Sequence, residues 1–290
     1  MANLKEIRNR IASVSSTMQI TSAMKMVSAA KLKKATDAIT EMRPYSNKLT
    51  ELIQKLTKTN HELESNSFSE VREIKKELLI AITSNRGLCG GFNSNVIKAI
   101  HEMTDSKTKV KTTVISIGKK GSDLLSKKFN MHSSHDDIFD NLNFESVSKI
   151  VDLILNEFNE GKYDSVKIIY NRFKNAATQI VTTEPFLPIL TNKEKNISES
   201  SIGSLDYIYE PSQKQIIDQL LPKSLKIQLL KSIKDSIASE HGARMTAMHK
   251  ATDNAQELRD QLKLSYNKAR QASITNEILE IVGGAEALKN

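Results

Sequence analysis

The residues whose type and spacing come nearest to chemistry are glycines. Gly87, Gly90 and Gly91, in the stretch GLCGG, follow the apolar run ELLIAITS (77–84) and precede NVIKAIHEM, which reads as a helix. A phosphate-binding loop stands at such a strand-to-helix turn, where backbone N–H groups and the helix dipole face an anion. The stretch is not GxGxxG, however, and no GK[ST] follows it. Three glycines in a tight turn are equally explained by backbone geometry alone. GKKGS (118–122) adds two glycines and two lysines after a second apolar run, with less support still.

Other reactive residues are scattered. His132 and His135, in MHSSHDD, would make a weak metal patch in a loop, although loop histidines beside aspartates are more often simply solvated. HExxH, CxxC and GxSxG are absent. Cys89 is the only cysteine and has no evident partner histidine. It rules out an intrachain disulfide and favours a reducing compartment. The residues thus give little support to an enzyme acting through its own side chains, and they imply no cofactor and no resident metal.

The elements around these residues are of two kinds. Residues 3–43 contain neither proline nor glycine. Ile7, Ile11, Val14, Met18, Thr21, Ser28, Leu32, Ala35, Ile39 and Met42 recur in alternating steps of four and three, with Lys25 filling one gap. This heptad seam predicts a coiled-coil helix over 1–58, tolerating Pro44. Its middle, ITSAMKMVSAAKLKK (20–34), is rich in small residues and methionine, which suit either close packing or a surface that repacks against partners. At the other end, residues 211–290 predict a second long helix. Met245, Met248, Ala251, Ala255, Leu258, Leu262, Tyr266 and Ala269 form a narrow stripe. The stripe changes phase after the polar stretch NKARQAS (267–273) and resumes at Ile274, Ile278, Ile281, Ala285 and Leu288. A stutter in a coiled coil would account for the break; so would last turns that pair with something else.

Between the helices, 77–210 has ordinary globular composition. Apolar runs at 77–84, 112–118, 163–173 and 178–190 predict strands, and LDYIYEPSQ (205–213) has strand character. They alternate with helices at 95–103, 121–129 and 144–158, so an α/β layer with a largely parallel sheet is expected, Rossmann-like, with its last two strands as an antiparallel hairpin. The polar stretches 59–76 and 191–204 read as a linker and a mobile loop.

Charge follows the same division. The net charge is +7 over 1–58, −2 over 59–210 and +3 over 211–290. Basic helices suit nucleic acid, an anionic membrane surface or an acidic protein. No arginine–aromatic interleaving supports single-strand stacking, and no helix-turn-helix or zinc-finger pattern is present. No apolar run approaches a membrane span. The N-terminus lacks the apolar core of a secretory signal.

Three stretches carry a family resemblance: ANLKEIRNRIASVSSTMQITSAMKMVSAAKLKKA near the start, SNRGLCGGFNSNV in the middle and EHGARMTAMHKATDNAQELRDQLKLSYNKARQASITNEILEIVGGAEAL at the end. In this order, and over the whole chain, they resemble the gamma subunits of F-type ATP synthases. The resemblance implies an antiparallel coiled coil of the two terminal helices as the shaft of a rotary motor, with the α/β domain inserted between them. The shaft would sit in a head of alpha and beta subunits, its foot on the ring of c subunits beside epsilon. Proton flow would turn ring and shaft, driving each beta subunit through different nucleotide affinities, with no catalytic residue on this chain. The short start looks bacterial, which implies the cytoplasmic face of the cell membrane.

Carried over residue by residue, the family pattern places Arg270, Gln271 and Thr275 against a loop of a beta subunit. It places Met24, Lys25, Glu240 and Arg244 lower on the shaft, near the lever of the beta subunits. Tyr207, Tyr209 and Glu210 would lie at the foot, near epsilon and the c ring. Helix lengths of roughly 80 Å and 100 Å leave the C-terminal helix overhanging by about 20 Å, with the stripe from Ile274 unpartnered. The competing readings are a basic helical hairpin that binds nucleic acid and a nucleotide-binding enzyme built on Gly87–Gly91.

Overall fold

A computed structural model describes residues 4–58, 68, 72–105, 110–189, 210 and 212–287. The predicted loop 191–204 lies outside the described residues, as does most of the predicted linker 59–76 and of the strand expected at 205–213. The chain falls into two compact units, Met1–Ala29 with Arg244–Asn290, and Ala30–Ala243. Each long helix contributes to both: α1 is Leu4–Lys58 and α5 is Gln213–Ala287. Pro44 lies inside α1 and is exposed; the helix continues through it.

The larger unit holds a five-stranded sheet in the order β3-β2-β1-β4-β5. β1 (Lys76–Ile82), β2 (Lys111–Ile117), β3 (Asn130–Ser134) and β4 (Ser165–Phe173) run parallel, and β5 (Gln179–Leu187) returns antiparallel to β4. Strand side chains alternate between faces, and both faces of β1 are apolar. Leu78, Ile80 and Ile82 pack with α4 (Phe144–Asn159), with Phe186 and Leu187 of β5, and with Leu225, Leu229 and Ile233 of α5. Leu79 and Ala81 pack with Val96 and Ile100 of α2 (Phe92–Asp105) and Leu125 of α3 (Lys119–Leu125). Continuous apolar runs read correctly as two-faced strands for this reason. Asn143 starts α4 with a capping box: its side chain accepts from Ser146 N at 2.7 Å, and its own N–H reaches Ser146 Oγ at 3.3 Å.

β3 is a correction. The sequence reading leaves MHSSHDD in a loop, whereas Asn130–Ser134 forms the edge strand beside β2, with an irregular register at Val114/Ile115. An edge strand has one neighbour and a half-solvated face, so it needs no apolar run.

The smaller unit is an antiparallel pair of helix segments, 4–29 of α1 and 244–287 of α5. Ile7, Thr21 and Ser28 are buried, and Ile11, Val14, Met18 and Lys25 are half-buried. The same period continues along α1 within the larger unit: Ile39 is buried, and Leu32, Ala35 and Met42 are half-buried.

Candidate partner interface

Internal hydrogen bonds and close packing tie the two glycine turns to the sheet. At the end of β1, Asn93 Oδ1 accepts from Ser84 N at 2.9 Å, and Asn93 Nδ2 donates to Ser84 Oγ at 2.8 Å and to Cys89 Sγ at 3.3 Å. These bonds fill the inside of the Gly87–Gly91 turn. Gly90 takes φ 59° and Leu88 φ 63°, the left-handed conformation that glycine accepts freely and leucine rarely. In a sheet of this order, ligands enter at the carboxyl ends of β1 and β4. Here α5 occupies that place. Ala243 packs on Cys89 and Phe92, and a Cβ at Gly242 would stand 3.0 Å from the Ala176 carbonyl oxygen. Asn171 of β4 closes the same crevice by donating to Phe92 O at 2.9 Å. The GKKGS glycines are likewise steric: a Cβ at Gly118 would meet Thr83 O at 2.4 Å, and one at Gly121 would meet Thr83 Oγ1 at 2.6 Å.

The histidine patch is a hydrogen-bonded cluster. His132 Nε2 lies 3.0 Å from Glu157 of α4, and Ser133 Oγ stands between His132 Nδ1 at 3.2 Å and His135 Nε2 at 3.0 Å. Burial pushes the His135 imidazole below its ordinary pKa; Asp137 opposes this, His132 adds to it, and Asp136 opposes it. Among the described residues, no three His, Cys, Asp or Glu side chains converge as metal ligands.

The helix pair of the smaller unit remains as the candidate site. Two polar contacts cross it toward the end bounded by Ala29 and Arg244: the hydroxyls of Thr21 and Thr252 are 2.8 Å apart, and Lys25 Nζ lies 3.4 Å from His249 Nδ1. Arg259 Nη1 reaches Met18 Sδ at 3.7 Å. Arg8 Nη2 donates to Tyr266 Oη at 2.7 Å, with its guanidinium 5.6 Å from the ring centroid. The seam of α5 therefore runs Met248, Thr252, Ala255, Arg259, Leu262, Tyr266, Ala269, Ser273. The expected stripe puts Leu258 on the seam, but Leu258 is 47% exposed and Arg259 is half-buried in its place, while Ala251 and Thr252 are both half-buried. Alternating steps of three and four from Met248 fit both Leu258 and Arg259; apolarity favours leucine, and the facing helix selects arginine.

Beyond Ser273 every side chain described in α5 is exposed. Ile274 is 46%, Ile278 54%, Leu279 64%, Ile281 71% and Val282 55% exposed. The described part of α1 starts at Leu4, and among the described residues no side chain covers this run. It is wider than the predicted stripe, since Leu279 and Val282 add a second apolar face. Arg270 and Gln271 are exposed and, among the described residues, have no side-chain partner; Thr275 Oγ1 donates to Gln271 O at 2.9 Å. Met24, Lys25 and Glu240 are half-buried, and Arg244 is buried, so it offers a partner the least surface. Glu210 is exposed, while Tyr207 and Tyr209 lie outside the described residues. Ile20, Met26 and Val27, all more than half exposed, were not singled out from the sequence as contact residues.

Comparison with known proteins gives one consistent result. The family described as ATP synthase matches residues 3–288. The ATP synthase gamma chain of Flavobacterium johnsoniae is 65% identical over 288 residues, covering 99% of each chain. That of Cytophaga hutchinsonii is 48% identical over 296 residues, covering both chains fully. Among solved structures, a chain of the central stalk and c-ring of Tetrahymena thermophila mitochondrial ATP synthase aligns with TM-score 0.63 and 28% identity, covering 80% of this chain and 99% of that one. A chain from Euglena gracilis mitochondrial ATP synthase, in an assembly of OSCP, F1 and c-ring, has the same fold with TM-score 0.68 and 21% identity, covering 98% and 94%.

Proposed function

The chain belongs to the ATP synthase gamma-chain family, and from that premise we propose that it works as the central rotor shaft. It couples proton flow through the membrane sector to ATP synthesis or hydrolysis on the beta subunits. It contributes no catalytic residue and no cofactor site of its own. Its partners are the alpha and beta subunits of the head, the epsilon subunit and the ring of c subunits. No helix among the described residues is long and apolar enough to cross a membrane, which accords with a peripheral place at the cytoplasmic face of a bacterial membrane.

The observation that carries the reading is the unpaired end of α5. A buried side chain of the size of isoleucine or leucine contributes about 1.5–3 kcal/mol over an exposed one, so leaving five of them in water is costly without a partner. An apolar sleeve at the top of the head supplies that partner. Arg270, Gln271 and Thr275 then meet a beta-subunit loop at its mouth, and Met24, Lys25, Glu240 and Arg244 lie further down, near the moving lever. Tyr207, Tyr209 and Glu210 are assigned to epsilon and the c ring.

The nucleic-acid reading finds no support. Arg8, Lys25 and Arg259, three cations of the supposed basic hairpin, contact the opposite helix. The test is co-expression with alpha and beta subunits. A stable complex containing all three chains with ATPase activity is expected; recovery of the chain free of both subunits would overturn the proposal.

A further inference from the structure

We infer that Arg8 and Tyr266 form a collar that ends the pairing of α1 with α5 and thereby positions the turn carrying Arg270 and Gln271. The positioning half rests on the partner contact proposed above. The collar itself stands on geometry: one guanidinium both donates to the phenol oxygen at 2.7 Å and lies over the ring at 5.6 Å. It stands at the boundary that matters. Ile7, its neighbour, is buried, and beyond Ser273 every described side chain of α5 is exposed.

The rest of the described seam at this end buries little. Apart from Tyr266, the last seam residues of α5 are Ala269 and Ser273, which bury small areas. Charge opposes pairing. Arg8 and Arg10 lie in the first described turns of α1, where the helix dipole disfavours cations, and α5 brings Lys268 and Arg270 to the same end. Glu6 is engaged by Arg10 at 2.7 Å. Stacked on the negative face of an aromatic ring, Arg8 becomes an adhesive contact instead of another repelling charge. Without it, α1 would fray toward Val14, lengthening the unpaired part of α5 by about 10 Å at the rise of a helix. Tyr266 and Arg270 are one turn apart on one face, so anchoring the ring also limits the swing of Arg270.

The experiment is hydrogen–deuterium exchange on the full chain, followed by ATP hydrolysis of the same variants assembled with alpha and beta subunits. Arg8→Ala and Tyr266→Ala should speed exchange of residues 4–11 roughly tenfold, as local fraying does, and leave residues 30–53 unchanged. Tyr266→Phe keeps the ring and loses the hydroxyl, and should fall between wild type and Tyr266→Ala. Turnover should decline in the same order at unchanged subunit stoichiometry. Equal exchange in wild type, Arg8→Ala and Tyr266→Ala would overturn the collar. Faster exchange with wild-type turnover would overturn its positioning role. Failure of the shaft reading looks different: wild-type chain would not assemble, whatever the exchange result, which needs no partner.

Discussion

At Arg270 a planar fork of donors is exposed with no acceptor among the described residues, and Gln271 beside it is likewise exposed. A hydrogen bond to a charged group contributes about 1.5–3 kcal/mol, enough to hold one angular position against thermal motion. Arg270→Ala with Gln271→Ala should leave the chain folded and assembled while lowering turnover of the complex about tenfold. Arg270→Lys should fall between, because an ammonium cannot reproduce the fork. Steady-state hydrolysis with stoichiometry checked on gels decides this; wild-type rates in the double variant would remove the contact. A second residue behaves oppositely, buried without full satisfaction. Asp235 of α5 is 3% exposed, and its Oδ1 has no hydrogen-bond partner among the described residues. Loss of hydration raises its pKa above 3.8; Arg43 and Lys231 pull it down, Glu184 pushes it up, and Arg172 pulls it down. The folded chain therefore holds this proton more tightly than the unfolded chain, and stability declines as pH rises from the unfolded pKa through the folded one. Asp235→Asn should raise Tm more at pH 7 than at pH 4, read by thermal melts. An equal or smaller gain at pH 7 would show that the carboxylate is compensated.

Helix α5 carries glycines in two settings, and they should respond with opposite sign. Glycine inside a helix is about 1 kcal/mol less favourable than alanine. At Gly283 nothing stands within 4 Å of an added Cβ, so Gly283→Ala should increase helix content by circular dichroism. At Gly242 the added Cβ meets Ala176 O at 3.0 Å and Ala176 Cα at 3.3 Å. The turn bearing Ala176 cannot easily give way: Asn175 Oδ1 accepts from Ala177 N and Thr178 N, and Gln179 Nε2 donates to Ala176 O. Gly242→Ala should therefore lower Tm despite its better propensity; a rise would mean that the turn moves freely. The same elements show what periodicity can carry. The seam of α1 was legible from Ile7 to Met42 because one face of a long uninterrupted helix must meet one neighbour. Arg259 was not, because the spacing from Met248 fits Leu258 equally well and only the register against α1 selects the arginine. β3 escaped notice because NMHSS has no apolar run. The pairing of Arg8 with Tyr266 needs the register between two helices, which neither sequence segment contains alone.

For the whole chain, the proposed working surface lies on the helical end of α5 and not in the α/β layer. The crevice where such a sheet binds ligands is closed by Ala243, Phe92 and Asn171, while the apolar surface that a partner could cover lies from Ile274 to Val282. The contacts proposed near the end of α5 rest on the family motif and the phase break; those at 207 and 209 rest on the motif alone. Single-molecule observation of a probe fixed to this chain, in a complex with alpha and beta subunits held on a surface, tests the central claim most directly. The account predicts rotation in one direction when ATP is supplied, slowed by Arg270→Ala with Gln271→Ala. Full ATP hydrolysis by a complex in which the chain does not turn would contradict it.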